Sequence, residues 1–162
     1  MESSTDHSES INRTIHTYSA SILRFAYSYV KNRSDAEDIA QDVLVTFLQK
    51  APVFENDAHE KSWIMKVTCN KCKDFLGSFW KKRMSDIPED LASPVPKESS
   101  LLFYVFQLDE KYRTPVHLFY YEGYSIIEIA EITGKKPATV GTRLARARAL
   151  LKSMIGDDLF EQ

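Results

Sequence analysis

The chain has 162 residues, enough for one domain or two small ones, and its apolar content of 43% is sufficient to build cores. The polar, acidic opening MESSTDHSES and the lack of any apolar run long enough to span a bilayer argue against a secretory signal and a membrane span, so a cytosolic protein is expected. The formal net charge of −2 conceals a division along the chain: acids gather in the first third and in a later linker, and bases gather in two patches.

In chain order, a loose start gives way to Ile11, Ile15, Tyr18, Ile22, Phe25, Ala26, Tyr29 and Val30, recurring every three or four residues as in an amphipathic helix. Lys31, Asn32 and Arg33 break it. Ser34 and Glu37 have the spacing of a capping box, and Asp35, Glu37 and Asp38 place negative charge at the positive end of the helix dipole, so a second helix is expected to run to about Lys50. Ile39, Val43 and Phe47 form one stripe of that helix, while Leu44 and Leu48 fall on another side. Neighbouring helices could bury the leucines. Asp38, Gln41 and Asp42 beside this second apolar surface make a mixture that suits docking to a basic protein partner.

Pro52 ends the second helix, and residues 53–62 read as a polar, charged loop. A third helix is expected from Trp63, with Trp63, Ile64, Val67 and Phe75 in the core and Lys66, Lys71, Lys73, Lys81, Lys82 and Arg83 supplying charge. Phe75, Phe79 and Trp80 interleave with these bases, as in proteins that stack unpaired bases on aromatic rings while lysines hold the backbone; ordinary core packing accounts equally well for any one ring. Cys69 and Cys72 form a C-x-x-C. No second pair follows and no histidine sits at finger spacing, so two reduced thiols on a helix are expected, with zinc or redox switching as the competing possibility.

Residues 84–99 contain Pro88, Pro94 and Pro96 with serines and acids and read as a linker. Apolar character resumes in LLFYVFQL; Asp109 is expected to cap a further helix reaching Tyr121, with Pro115 removing a backbone bond inside it. Ser125 and Glu128 then form an S-x-x-E capping box, so a short helix begins at about Ile126 with Ile126, Ile129, Ala130 and Ile132 on its buried side. Gly134 suits the positive φ of a tight turn, and Pro137 suits the first turn of the next helix. There Val140, Leu144, Ala147 and Leu151 make a core face, opposed by Ala138, Thr142, Ala145 and Ala149 with Arg143, Arg146 and Arg148 around them. Small side chains with guanidinium groups suit a DNA major groove, against the plainer alternative of a solvated basic helix. No acid occurs from Lys135 to Lys152, which favours the DNA reading. The expected fold is all-α: two small helical domains, residues 10–83 and 100–155, joined by the proline-containing linker, the second with a helix-turn-helix.

These motifs together resemble the extracytoplasmic-function sigma factors of bacterial RNA polymerase, over nearly everything from Tyr18 to Leu151. DAEDIAQDV at 35–43 is similar to the region-two helix that in that family docks on the clamp helices of the polymerase β′ subunit. Trp63, Asn70 and Asp74 match the family's W-L-x-x-I-A-x-N-x-x-x-D pattern in the segment that melts and reads the minus-ten element. LDEKYRTPVHLFYYEGYSIIEIAEITG and TVGTRLARARALL resemble region four, whose second helix reads the minus-thirty-five element. The resemblance implies polymerase contacts by Asp35, Asp38, Gln41, Asp42 and Val45. It implies minus-ten contacts by Trp63, Lys66, Asn70, Lys73 and Trp80, and minus-thirty-five contacts by Lys136, Thr139, Thr142, Arg143, Arg146 and Arg148. Expected partners are core RNA polymerase, through its β′ clamp helices and β flap, promoter DNA and an anti-sigma factor, which could hold the protein at a membrane. No metal, cofactor or small-molecule substrate is expected. The chain departs from the family at Gly141, where a basic residue is usual, at Ala145, which replaces a larger side chain, and at Glu60, where an apolar or aromatic residue is common.

A stand-alone helix-turn-helix regulator is the main rival; it would bind duplex tightly without polymerase and leaves the first domain unexplained. An interaction or redox protein built on Cys69 and Cys72 predicts that Cys→Ser changes abolish function. An enzyme lacks support, with no nucleotide-binding loop, paired catalytic carboxylates or triad in the sequence.

Overall fold

A computed structural model of the chain describes residues 2–50, 52–83 and 101–156, with side chains described from Ser8 to Lys50, from Pro52 to Ser78 and from Leu101 to Gly156. The linker expected at 84–99 and the acidic residues after Gly156 lie outside the described residues. Seven α-helices and one π-helical turn occur among those described, with no strand. The chain divides into two compact units, Met1–Ser85 and Asp86–Gln162. No helix among the described residues is long and apolar enough to cross a membrane.

The first unit is three helices packed pairwise on one another: α1 (Glu2–Val30), α2 (Arg33–Lys50) and α3 (Asp57–Arg83). Helix α1 begins at Glu2 rather than after a loose start, and its periodic stripe is the core side, with Tyr18, Ile22, Phe25, Ala26 and Tyr29 buried. Burying a side chain such as Phe25 or Ile22 stabilises the fold by about 1.5–3 kcal/mol each. Lys31 takes a left-handed φ of 59°, so the chain reverses within two residues. The expected Ser34 capping box does not form. Asn32 caps instead, its Oδ1 accepting the Asp35 amide at 3.0 Å, and Glu37 is engaged by Arg33 at 3.0 Å. The helix starts two residues earlier than the S-x-x-E spacing suggests, and Asn at the cap is as effective as Ser.

Helix α3 also starts early. Asn56 Oδ1 accepts the His59 amide at 2.8 Å, and His59 Nδ1 accepts the Glu55 amide at 3.3 Å, so six residues read as loop are helical. Of the expected core residues only Ile64 is fully buried; Trp63, Val67 and Phe75 are half-buried. Met65, Thr68, Cys69 and Cys72 fill the core instead, each at 0% exposure. Thr68 satisfies its hydroxyl by donating to the Ile64 carbonyl at 2.8 Å. Small thiols and a hydroxyl are weak hydrophobic signals, which is why periodicity alone missed this face.

The second unit comprises α4 (Leu101–Gln107), α5 (Glu110–Val116), a π-helical turn (His117–Tyr121), α6 (Ile126–Thr133) and α7 (Pro137–Ile155), with α7 packed against α4, α5 and α6. Asp109 makes no side-chain cap; its carbonyl accepts the Tyr112 and Arg113 amides at 2.9 Å each. Pro115 withdraws one amide donor inside α5. Two residues later the bonding widens, Glu122 N donating to the His117 carbonyl at 3.1 Å, so the expected single helix becomes a helix plus a π turn. Buried Arg113 donates to the Leu108 carbonyl at 2.6 Å and ties this corner together.

Candidate functional site

In the first unit, the acids of α2 and its second apolar side are on the outside. Asp38, Gln41 and Asp42 are exposed, Val45 and Leu48 are each 45% exposed, and Leu44 is half-buried, while Ile39, Val43 and Phe47 face the core. At 100° per residue Asp38, Gln41, Asp42 and Val45 fall within an arc of about 100°. Asp35 stands at the edge of this stripe, half-buried, and burial first, then the charge of Asp38, push its carboxyl above the ordinary value. The stripe mixes carboxylates, which favour a cationic partner, with aliphatic surface that gains by being covered.

Beside it, α2 and α3 enclose a groove of about 350 Å³ whose walls include Asp38, Asp42, Lys71, Asp74 and Phe75. Lys71 Nζ lies 3.2 Å from Asp42 Oδ2. On α3 the exposed Lys66, Asn70 and Lys73 follow one another at four and three residues and share a face. Lys71 is turned roughly 140–160° from the two flanking lysines. Trp63 is about two turns before Asn70 on the same side, but its ring is half-buried against Phe47 at 6.2 Å and Phe54 at 5.7 Å between centroids. Phe54 also meets His59 edge-on at 5.3 Å, which anchors the short α2–α3 connection. Trp80 lies outside the described side chains.

The helix-turn-helix of the second unit forms as its motif spacing implies. Ser125 Oγ accepts the Glu128 amide at 3.1 Å and Glu128 Oε1 accepts the Ser125 amide at 3.0 Å, completing the capping box. Gly134 ends α6 at φ 71°, and Pro137 opens α7 after Lys136. Ile129, Ala130 and Ile132 are buried as expected, with Thr133 beside them; Ile126 is 36% exposed and Ile127 72% exposed, so the first turn of α6 faces outward.

In α7, Val140, Leu144, Ala147 and Leu151 are buried. Thr139, Thr142 and Arg146 come together within about 60° of one another on the opposite side. Thr142 Oγ1 donates to the Ala138 carbonyl at 2.9 Å, and Arg146 is exposed. Arg143, half-buried, and Arg148, exposed, stand on opposite shoulders of that face, about 100° and 120° from Thr142. Arg148 Nη1 donates to the Tyr120 hydroxyl at 3.1 Å, a partner 28 residues away that nothing in the local sequence pattern marks. No acidic side chain offsets these bases within α7, and Lys135 and Lys136 precede it. The surface can therefore hold an anionic backbone while its threonines and alanines admit base edges.

Cys69 and Cys72 are buried thiols inside the first unit. Among the described residues no group of three or more His, Cys, Asp or Glu side chains is placed to hold a metal ion.

Two family sequence models match the chain: sigma-70 region 2 over residues 14–82, and sigma-70 region 4 over residues 102–151. The RNA polymerase sigma factor SigV of Bacillus subtilis is 36% identical over 134 residues, covering 80% of this chain and 81% of that relative. The chain belongs to the extracytoplasmic-function sigma factors. As an alternative sigma factor it directs transcription initiation. Among solved structures, the sigma factor RpoE in complex with the anti-sigma factor NepR, from Bartonella quintana, shares the fold of this sigma factor with a TM-score of 0.79 at 21% identity, over 93% of this chain and 99% of that one. CnrH in complex with the cytosolic domain of CnrY aligns with a TM-score of 0.66 at 20% identity, over 91% and 88% of the two chains. The region 2 match falls within the first unit of the sigma factor and the region 4 match within the second, so the acidic stripe and the basic helix lie in different family regions.

Proposed function

We propose that this sigma factor docks on core RNA polymerase through the outer stripe of α2, with Asp35, Asp38, Gln41, Asp42 and Val45 meeting the β′ clamp helices. Residues 10–83 in this reading form the polymerase and minus-ten unit, 84–99 the connection, and 100–155 the minus-thirty-five unit, whose apolar surface meets the β flap. Lys66, Asn70 and Lys73 on α3, with Trp63 and Trp80, hold the unpaired minus-ten strand. Lys136, Thr139, Thr142, Arg143, Arg146 and Arg148 hold the minus-thirty-five duplex. Promoter opening draws its free energy from polymerase and from captured unpaired bases, and the sigma factor catalyses no bond chemistry itself. Phosphate contacts by both basic faces make promoter affinity fall with salt.

The observation that carries this reading is the segregation of charge: an acidic and aliphatic stripe on α2 and a basic helix-turn-helix on α7, each on a separate compact unit. That RpoE is seen in complex with the anti-sigma factor NepR, and CnrH with the cytosolic domain of CnrY, supports an anti-sigma factor as a further partner, in the cytoplasm or at a membrane that such a partner occupies.

The deciding experiment is a pull-down of purified bacterial core polymerase with the wild-type chain and an Asp38→Lys, Asp42→Lys variant. Capture by wild type and loss in the variant is the expected result. If both are captured equally, α2 is not the docking surface; if neither is captured and the chain alone shifts duplex DNA, a stand-alone regulator replaces this reading.

A further inference from the structure

Asp42 of α2 and Lys71 of α3 pair at the groove between their helices, and, resting on the docking reading above, this pair has a consequence for the strength of polymerase binding. Asp42 is one of the carboxylates assigned to polymerase. Lys71 comes from α3, whose other lysines at 66 and 73 point away from the groove. Its ammonium lies 3.2 Å from Asp42, with the Lys71 side chain 30% exposed and the Asp42 side chain 58% exposed. Asp38, one turn before Asp42, and Asp74, three residues after Lys71, line the same groove. Lys71 is the one base among the described side chains lining the groove.

We propose that Lys71 is an internal counter-ion that competes with core polymerase for Asp42 and so attenuates the affinity of this sigma factor for the enzyme. A cationic side chain of the polymerase approaching Asp42 meets a carboxylate already neutralised, with a second positive charge a few ångströms behind it. Binding then requires either that the Lys71 ammonium swings out to solvent or that two like charges share one carboxylate. Either route subtracts from the attraction that Asp38 and Asp42 exert. Both side chains are partly solvated, so the effect is modest, and salt diminishes it.

The test is the affinity of the full-length chain for purified core polymerase, measured by fluorescence anisotropy at low and moderate salt, in a double-mutant cycle. Lys71→Met is expected to tighten binding by about two- to fivefold at low salt, the equivalent of an exposed ion pair, and by less at moderate salt. Lys71→Gln, which keeps a polar head in the groove, is expected to act in the same direction. Asp42→Asn is expected to weaken binding, and in that background Lys71→Met is expected to change nothing. If Asp42→Asn weakens binding but Lys71→Met and Lys71→Gln leave it equal or weaker, Lys71 supports Asp42 and the competition is overturned while the docking surface stands. If Asp42→Asn and the Asp38→Lys, Asp42→Lys variant both bind as wild type, the docking surface itself is wrong and the competition falls with it.

Discussion

Arg148 of the basic helix donates a hydrogen bond to the hydroxyl of Tyr120, 3.1 Å away on the π-helical turn that precedes the helix-turn-helix. The turn thus holds one shoulder of α7 from outside it. A guanidinium restrained in this way loses less conformational freedom when it meets a phosphate. Tyr120→Phe removes the hydroxyl and keeps the ring, so holoenzyme carrying it is expected to bind a cognate promoter about two- to tenfold more weakly, the range of one hydrogen bond. An Arg148→Ala background should abolish the difference. Equal binding by wild type and Tyr120→Phe would show that the restraint has no bearing on DNA affinity.

Gly141 sits inside α7, and a Cβ added there meets nothing within 4 Å. Replacing glycine in a helix interior by alanine removes a backbone entropy cost of about 1 kcal/mol. Gly141→Ala is therefore expected to stabilise the second unit by about that amount in chemical denaturation. An unchanged or lowered midpoint would mean that this position tolerates no side chain.

Tyr18 carries the largest titration effect among the described groups of the first unit. Burial, the charge and hydrogen bond of Glu60, and the charge of Asp57 raise its phenol from 10.0 to about 12, against a smaller opposing pull from Arg13. The folded state keeps the proton that the unfolded chain releases near 10, so this stabilisation is complete below that pH and is lost as pH rises through about 12. Phenolate absorbance should show Tyr18 ionising late, with Tyr121 also raised above the ordinary value by burial. Glu60→Gln should lower its pKa without restoring the ordinary value, because burial is the leading cause. Ionisation of Tyr18 alongside the exposed tyrosines would contradict its placement against Glu60.

The two thiols give a direct check on the core of the first unit. Cys69 and Cys72 are both 0% exposed, so neither is expected to react with an aromatic disulfide reagent in the native protein, and both should react in denaturant. A single Cys→Ser change at either site is expected to cost about 1–3 kcal/mol through the buried hydroxyl. Fast reaction of a native thiol would show that α3 does not bury this face.

Several features were legible residue by residue. The capping box of Ser125 and Glu128, the turn at Gly134, the proline opening α7 and the buried row Val140, Leu144, Ala147 and Leu151 all follow from contacts within one or two turns, and such contacts leave their spacing in the sequence. The buried row Tyr18, Ile22, Phe25 and Tyr29 was equally plain. Competing local signals produced the misreadings. Ser34 has cap spacing, yet Asn32, two residues before it, takes the cap because the chain reverses at Lys31; Asn56 starts α3 where charged residues suggest a loop.

The sequence by itself determined that this protein is helical in two parts, that its acids and bases are segregated, and that its motifs are those of a sigma factor, because periodicity, capping and motif order are local. Only the tertiary structure decided that Lys71 turns to Asp42 while Lys66 and Lys73 turn away, that Arg148 is held by Tyr120, and that two thiols rather than the nearby aromatic rings fill the centre of α3's packed face. Each of these depends on which face of one helix meets which face of another. Side chains 28 or 29 positions apart meet only after packing has chosen the faces, and no spacing along the chain records that choice.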